Sequence, residues 1–307
     1  MCSEIQATDP EALGVRRDRE ITNNMNGTNR VITGAALIAA GVVVGVYISN
    51  NQIGIPPIVP IAGAAWGAAM SEEPPHTMGG PDIEARADRE LRAMGEWLSA
   101  ARAFTFHADI TYDSPTANGQ MIQYGGVADI WVQRPGFLHV EFHGDEAHRQ
   151  VICDGSKFVV SGLATDLYAV TEVPAEIGAA VDLVFDEYGF SVPIADFVYP
   201  DPYAVLIESV ESGFYVGRHE VDGTPCHHLA FSQESIDWQI WIEDGPRPAP
   251  RKLLITYKDT PGSPQYTARL SGWNTQPDVA KHWFTFEPPA GAIQIEFLPV
   301  EQSEVTP

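Results

Sequence analysis

The chain has 307 residues, with 41 acidic against 18 basic side chains, a formal charge of −23 and three cysteines. So acidic a surface repels phosphate backbones and argues against a nucleic-acid partner. Three cysteines are too few for a disulfide scaffold; Cys153 and Cys226 could pair in an oxidising compartment, but two buried free thiols are the expectation, and Cys2 lies ahead of any apolar run.

Residues 1–30 are polar, with basic residues at Arg16, Arg17 and Arg19. Val31–Ile48, VITGAALIAAGVVVGVYI, is an uncharged run, close to the about 20 residues that a membrane-spanning helix needs. Arg30 precedes it and Glu72 and Glu73 are the first charges after it, which places the N-terminus inside and the rest outside. The run predicts a transmembrane signal anchor, or a signal peptide whose start lies nearer Met25. A buried core helix is the blander alternative. Residues 49–80 form a Pro/Gly/Ala-rich linker, in which Pro56, Pro57 and Pro60 oppose a second straight span. Small residues at Ala65–Ala69 offer a signal-peptidase site, so anchored and cleaved forms both stay open.

Residues 81–298 predict one folded domain and 299–307 a polar tail. In Asp82–Ala103, Ile83, Ala87, Leu91, Met94, Leu98 and Ala101 recur every three or four positions, predicting an amphipathic helix. Phe104–Asp113 then alternates as a strand. Met121–Arg134 follows, its Gly125–Gly126 pair suggesting a bulge or bend. Phe137–Gly144, Arg149–Asp154, Lys157–Ser161 and Tyr168–Val173 read as further strands between Gly, Asp and Ser turns. Ala175–Tyr188 predicts a second amphipathic helix, and Pro193–Val198 and Tyr203–Glu211 shorter helical turns. Strands resume at Phe214–Glu220 and run through Thr224–Tyr257, where Trp238, Ile240 and Ile242 alternate with polar residues. Trp241 interrupts the polar face and is expected to be exposed there. Gln265–Trp273, Trp283–Phe286 and Ile293–Phe297 close the series. The fold class is α+β: a strongly curved antiparallel sheet, a half-barrel of about ten or eleven strands, with helices covering its concave face.

The stretches YGGVADIWVQRPGFLHVE, DGSKF, YGFSVPIADF, CHHLAFSQESIDWQIWIEDGPRPAPRKLLIT, PQYTARLSGW and FTFEPPAGA together resemble a family of predicted periplasmic proteins classed as a domain of unknown function. The resemblance spans roughly residues 83–296. That family in turn looks like the outer-membrane lipoprotein carrier group (LolA/LolB-type), whose half-barrel carries a helical lid over an apolar hollow. The resemblance therefore implies an extracytoplasmic lipid- or lipoprotein-binding module, and it brings no catalytic residues.

His139, Glu141 and His143 share a strand face, with His148 beyond. Positions i and i+4 of a strand lie about 13 Å apart, too far for one ion held at about 2 Å, so a solvated polar face is the expectation. His227 and His228 are adjacent and should point to opposite faces. No metal site, no cofactor and no catalytic motif is expected. The candidate ligand-binding set is apolar: Phe106, Trp131, Phe142, Trp238, Ile240, Leu253, Ile255, Tyr266 and Leu270. The competing reading is that these residues only pack beneath the helices. The leading function is a non-enzymatic, periplasm-facing module, anchored in the inner membrane or secreted, that binds a lipid acyl chain or lipoprotein. The alternatives are an envelope protein–protein interaction or sensor module, and an unrecognised hydrolase.

Overall fold

The computed structural model describes residues 81–116, 118–190 and 194–299, together with two short strands near the N-terminus. These two, β1 (Tyr47–Ser49) and β2 (Gln52–Gly54), pair with each other antiparallel. Apart from them, the polar segment 1–30, the uncharged run 31–48, the linker and the tail beyond residue 299 lie outside the described residues. Among the described residues no helix is long and apolar enough to cross a membrane.

One open, curved sheet of thirteen strands organises the domain, in the order β15-β9-β8-β7-β6-β5-β4-β14-β13-β12-β11-β10-β3. Two antiparallel meanders build it. The first comprises β4 (Ala103–Pro115), β5 (Met121–Gln133), β6 (Phe137–Gly144), β7 (His148–Asp154), β8 (Lys157–Gly162) and β9 (Leu167–Glu172). The second comprises β10 (Ser212–Val221), β11 (Thr224–Ser232), β12 (Ile236–Glu243), β13 (Pro250–Tyr257) and β14 (Gln265–Asn274). They join where β14 pairs with β4, Tyr266 opposite Tyr112. These eleven antiparallel strands match the sequence expectation, and two very short strands extend them in parallel: β3 (Asp82–Ile83) along β10, and β15 (Ile293–Ile295) along β9.

Strand alternation sends Phe104, Phe106, Ala108, Ile110 and Tyr112 of β4 to a single inner face, and the register carries that face across every neighbour. Helix α1 (Ala85–Ser99) buries Ala87, Leu91, Met94 and Leu98 and packs on β10–β12. It starts three residues later than the periodicity implies, because Asp82 and Ile83 take long-range backbone pairing with β10 instead. Gly95 brings α1 close to α3 (Pro202–Ile207): a Cβ there would stand 2.5 Å from that of Tyr203.

Helix α2 (Ile177–Tyr188) begins at Glu176, whose carboxylate accepts from the Gly178 and Ala179 amides at 2.9 and 3.0 Å. It ends at Gly189 in the left-handed conformation, φ 64°. Three further bonds fix its place. The Ile177 amide donates to the Pro135 carbonyl at 2.8 Å, and the Tyr199 hydroxyl donates to Asp182 at 2.7 Å. The Tyr188 and Thr171 hydroxyls meet at 3.1 Å.

Two expectations fail here. Gly125–Gly126 makes no bulge, since β4 and β5 stay in register from end to end. Gly126 answers a packing demand instead: the Phe142 ring lies where its Cβ would be, 2.7 Å away, and Gly144 meets the same ring. Lys281–Phe284, taken in part for a strand, forms a 3-10 turn against β6 and β7.

Candidate functional site

The inner face of β4–β8, helix α2, Phe190 and residues 194–198 line a partly open cavity of about 50 Å³. From the sheet, Phe106, Ile110, Ile130, Leu138, Phe142 and Val151 contribute, with Ala128 opposite Phe142 on the neighbouring strand. From the other side come Val181 and Val184 of α2, then Phe190, Ile194 and Val198. Phe106 is steadied by stacking on Trp273 with ring centroids 4.3 Å apart, and Phe158 meets Phe190 edge-on at 5.7 Å. The wall is apolar but for one residue, Arg149 of β7.

Arg134 holds part of this enclosure in place. Its guanidinium donates to the carbonyls of Leu98 (3.2 Å) and Ala101 (2.6 Å) at the end of α1, and to that of Tyr199 (2.7 Å) just beyond Val198. Burial pushes its pKa down, with Glu176 opposing.

The predicted ligand-binding residues divide into three groups. Phe106 and Phe142 line the cavity. Trp238, Ile240, Leu253, Ile255, Tyr266 and Leu270 are buried on the same inner face, but in the β12–β14 half of the sheet and outside the cavity wall. Trp131 lies on the opposite face, because register places its neighbours Ile130 and Val132 inward. There it stacks on Trp283, brought over it by the 3-10 turn, at 5.0 Å. Sequence reasoning missed the α2 contribution and Arg149. The apolar stripe of α2 was visible, but which strands it would face was not.

The outer face carries His139, His143 and His148. His143 and His148 are cross-strand partners with Nδ1 atoms 3.1 Å apart, while His139 lies buried beside Glu141 at 3.3 Å. Among the described residues no group of three or more His, Cys, Asp or Glu could hold a metal ion. His227 and His228 do point to opposite faces. His227 meets Asp244 at 3.2 Å and Tyr215 at 3.0 Å on the inner side, while His228 stacks on Trp241 at 3.9 Å on the outer side. Trp241 is therefore not exposed as expected: only 8% of it remains accessible, with Lys252 over its ring at 4.4 Å. Cys153 and Cys226 are buried, free thiols, and burial raises the pKa of both.

A family model described as a predicted periplasmic protein (DUF2092) matches residues 87–298. No curated protein matches the chain. Among solved structures, the lipoprotein LppX of Mycobacterium tuberculosis is 13% identical, covering 64% of this chain and 100% of its own, with a TM-score of 0.41. LprF from Mycobacterium bovis is 12% identical, covering 66% and 98%, with a TM-score of 0.37. A LolA superfamily protein from Nitrosomonas europaea is 9% identical, covering 65% and 97%, with a TM-score of 0.32.

Proposed function

The chain belongs to the predicted periplasmic protein family DUF2092, and on that premise we propose that it is an exported, non-enzymatic module that takes up an acyl chain of a lipid or lipoprotein between β4–β8 and α2. The observation behind this reading is the apolar cavity at that junction. Desolvating each methylene of a chain there would contribute about 0.8 kcal/mol. As it stands, the cavity of about 50 Å³ is roughly a third of the about 150 Å³ that accommodates a benzene ring. Uptake therefore requires α2 to separate from the sheet, the helix acting as a cover over the inner face. The uncharged run 31–48 would serve export, either as an inner-membrane anchor or as a cleaved signal.

Native mass spectrometry of the exported protein, purified without detergent, tests the proposal. A bound mass that leaves on solvent extraction and matches a lipid is the expected result. A clean apo mass with no uptake of added fatty acid or phospholipid would refute it. A second reading, docking of a protein partner, draws on a different observation: Phe214 and Val216 of β10 are 57% and 40% exposed. Trp241, expected on the outer face, is covered by His228 and Lys252 and offers no such surface.

A further inference from the structure

Arg149 is the second residue of β7, paired with Phe142 on one side and Gly162 on the other. Parity turns it inward with Val151 and Cys153, and it is only 7% exposed. Next to it stands a polar pair: the buried Tyr112 hydroxyl donates to the Glu146 carboxylate at 2.7 Å. Glu146 is an exposed residue of the β6–β7 turn, so the polar pair joins Arg149 to the solvent side of the sheet's end. Tyr112 and Glu146 both act electrostatically on Arg149, opposing the burial that lowers its pKa to about 10, and it stays cationic at neutral pH. The cavity is thus amphipathic along its length: hydrocarbon on most of its wall, one desolvated positive charge at the wet end.

From this arrangement we infer that the acyl-binding cavity selects single-chain amphiphiles with an anionic head, Arg149 receiving the head while the chain runs inward past Phe142 and Val151. The inference rests on the acyl-chain reading above. A guanidinium presents its donors in a planar fork that matches a carboxylate or phosphate edge, and such charge-assisted bonds are about twice as strong as neutral ones. Local charge matters more than usual here. The chain carries a net −23, so an anionic head is repelled by most of the surface and finds compensation at a buried cation. In the ligand-free state the Glu146 carboxylate, with the Tyr112 hydroxyl on it, acts as a counter-charge of Arg149, and a bound anion would take over that part as Glu146 turns to solvent.

Three dodecyl probes with one tail and different heads separate the possibilities: laurate, dodecyl phosphate and dodecanol, titrated into the exported protein by calorimetry at pH 7.5. One charged hydrogen-bonded contact predicts at least about tenfold tighter binding of an anion than of the alcohol. Arg149→Gln should bring the anion-to-alcohol ratio close to one, and Arg149→Lys should keep part of it. A preference for laurate over dodecyl phosphate identifies a free fatty acid as the better match, and the reverse identifies a phospholipid-type head. Equal affinity of the wild type for all three overturns the role of Arg149 while leaving acyl binding intact. Failure to bind any of them overturns the acyl-chain reading itself. The wild-type comparison needs no variant, so a folding defect in Arg149→Gln does not blunt the test.

Discussion

Replacing Arg134 by Met should destabilise the domain and loosen the cavity together. The guanidinium satisfies carbonyls at the end of α1 (Leu98, Ala101) and the Tyr199 carbonyl beyond the cavity-lining Val198, at 3.2, 2.6 and 2.7 Å. The Leu98 carbonyl keeps the Ala101 amide at 3.1 Å, so the acceptors that depend on the guanidinium are those of Ala101 and Tyr199, and a thioether cannot donate to them. Each buried acceptor left unmet costs about 1–3 kcal/mol, which with the weakened contact to Leu98 puts the sum near 3–5 kcal/mol. For a domain of this size that corresponds to a fall in melting temperature of about 6–20 °C. Urea denaturation followed by tryptophan fluorescence measures the first quantity. Uptake of an environment-sensitive dye measures the second, and it should rise because Val198 is no longer tethered. Arg134→Lys should recover part of the loss, since one ammonium cannot reach all three carbonyls. A loss below about 1 kcal/mol for Arg134→Met would refute the reasoning, because it would mean the carbonyls are met by other means.

Three further outcomes follow from the same geometry. Ala128→Val puts two more carbons into the cavity wall and should weaken laurate binding about tenfold while costing no more than about 1–3 kcal/mol of stability; unchanged binding by calorimetry would place the chain elsewhere. Gly126→Ala puts a Cβ 2.7 Å from the Phe142 ring and should cost about 1–3 kcal/mol by thermal denaturation. That penalty should shrink in a Phe142→Leu background, and a penalty independent of residue 142 would refute the contact. Burial depresses the pKa values of His139 and His228 below the ordinary histidine value. The unfolded chain then binds more protons, so stability is present above about pH 6.5 and falls as pH drops below it, by at most about 1.4 kcal/mol per pH unit for each group. Urea midpoints that do not move between pH 7.5 and 5.5, or that fall equally in His139→Gln, would contradict this.

Much of the sheet was legible because a strand's inward residues announce themselves by alternation. Phe137–Gly144 has the predicted bounds, and the alternation of Trp238, Ile240 and Ile242 falls within β12. Where two apolar residues stand side by side, alternation is silent. Ile130 and Trp131 both qualify for the core, and only the pairing of Ile130 with Phe106 and Val140 decides that Trp131 faces outward. Trp283–Phe286 has the composition of a strand, but the first two residues belong to a turn whose Trp283 lies over Trp131 and His139. Which strands line the cavity was illegible for a related reason. The aromatic and aliphatic positions of β12–β14 are the more conspicuous in sequence, yet that half of the sheet lies toward α1, whereas α2 faces β4–β8. Which helix lies on which meander is decided by long-range topology, to which local patterns are blind. Arg149 was unremarkable as one arginine among several until register turned it inward.

The junction of β4 with β14 sets the order in which the domain can assemble. Each meander needs only near neighbours, and such hairpins form quickly. The seam pairs Tyr112 with Tyr266, closing a loop of about 150 residues before its bonds are gained, and contacts so distant in sequence slow folding. A chain emerging N-terminus first therefore presents the unsatisfied amides of β4 to its surroundings until residue 274 has arrived. In a crowded envelope that interval is when the nascent protein is most open to aggregation, and when a holding chaperone would have most to offer it.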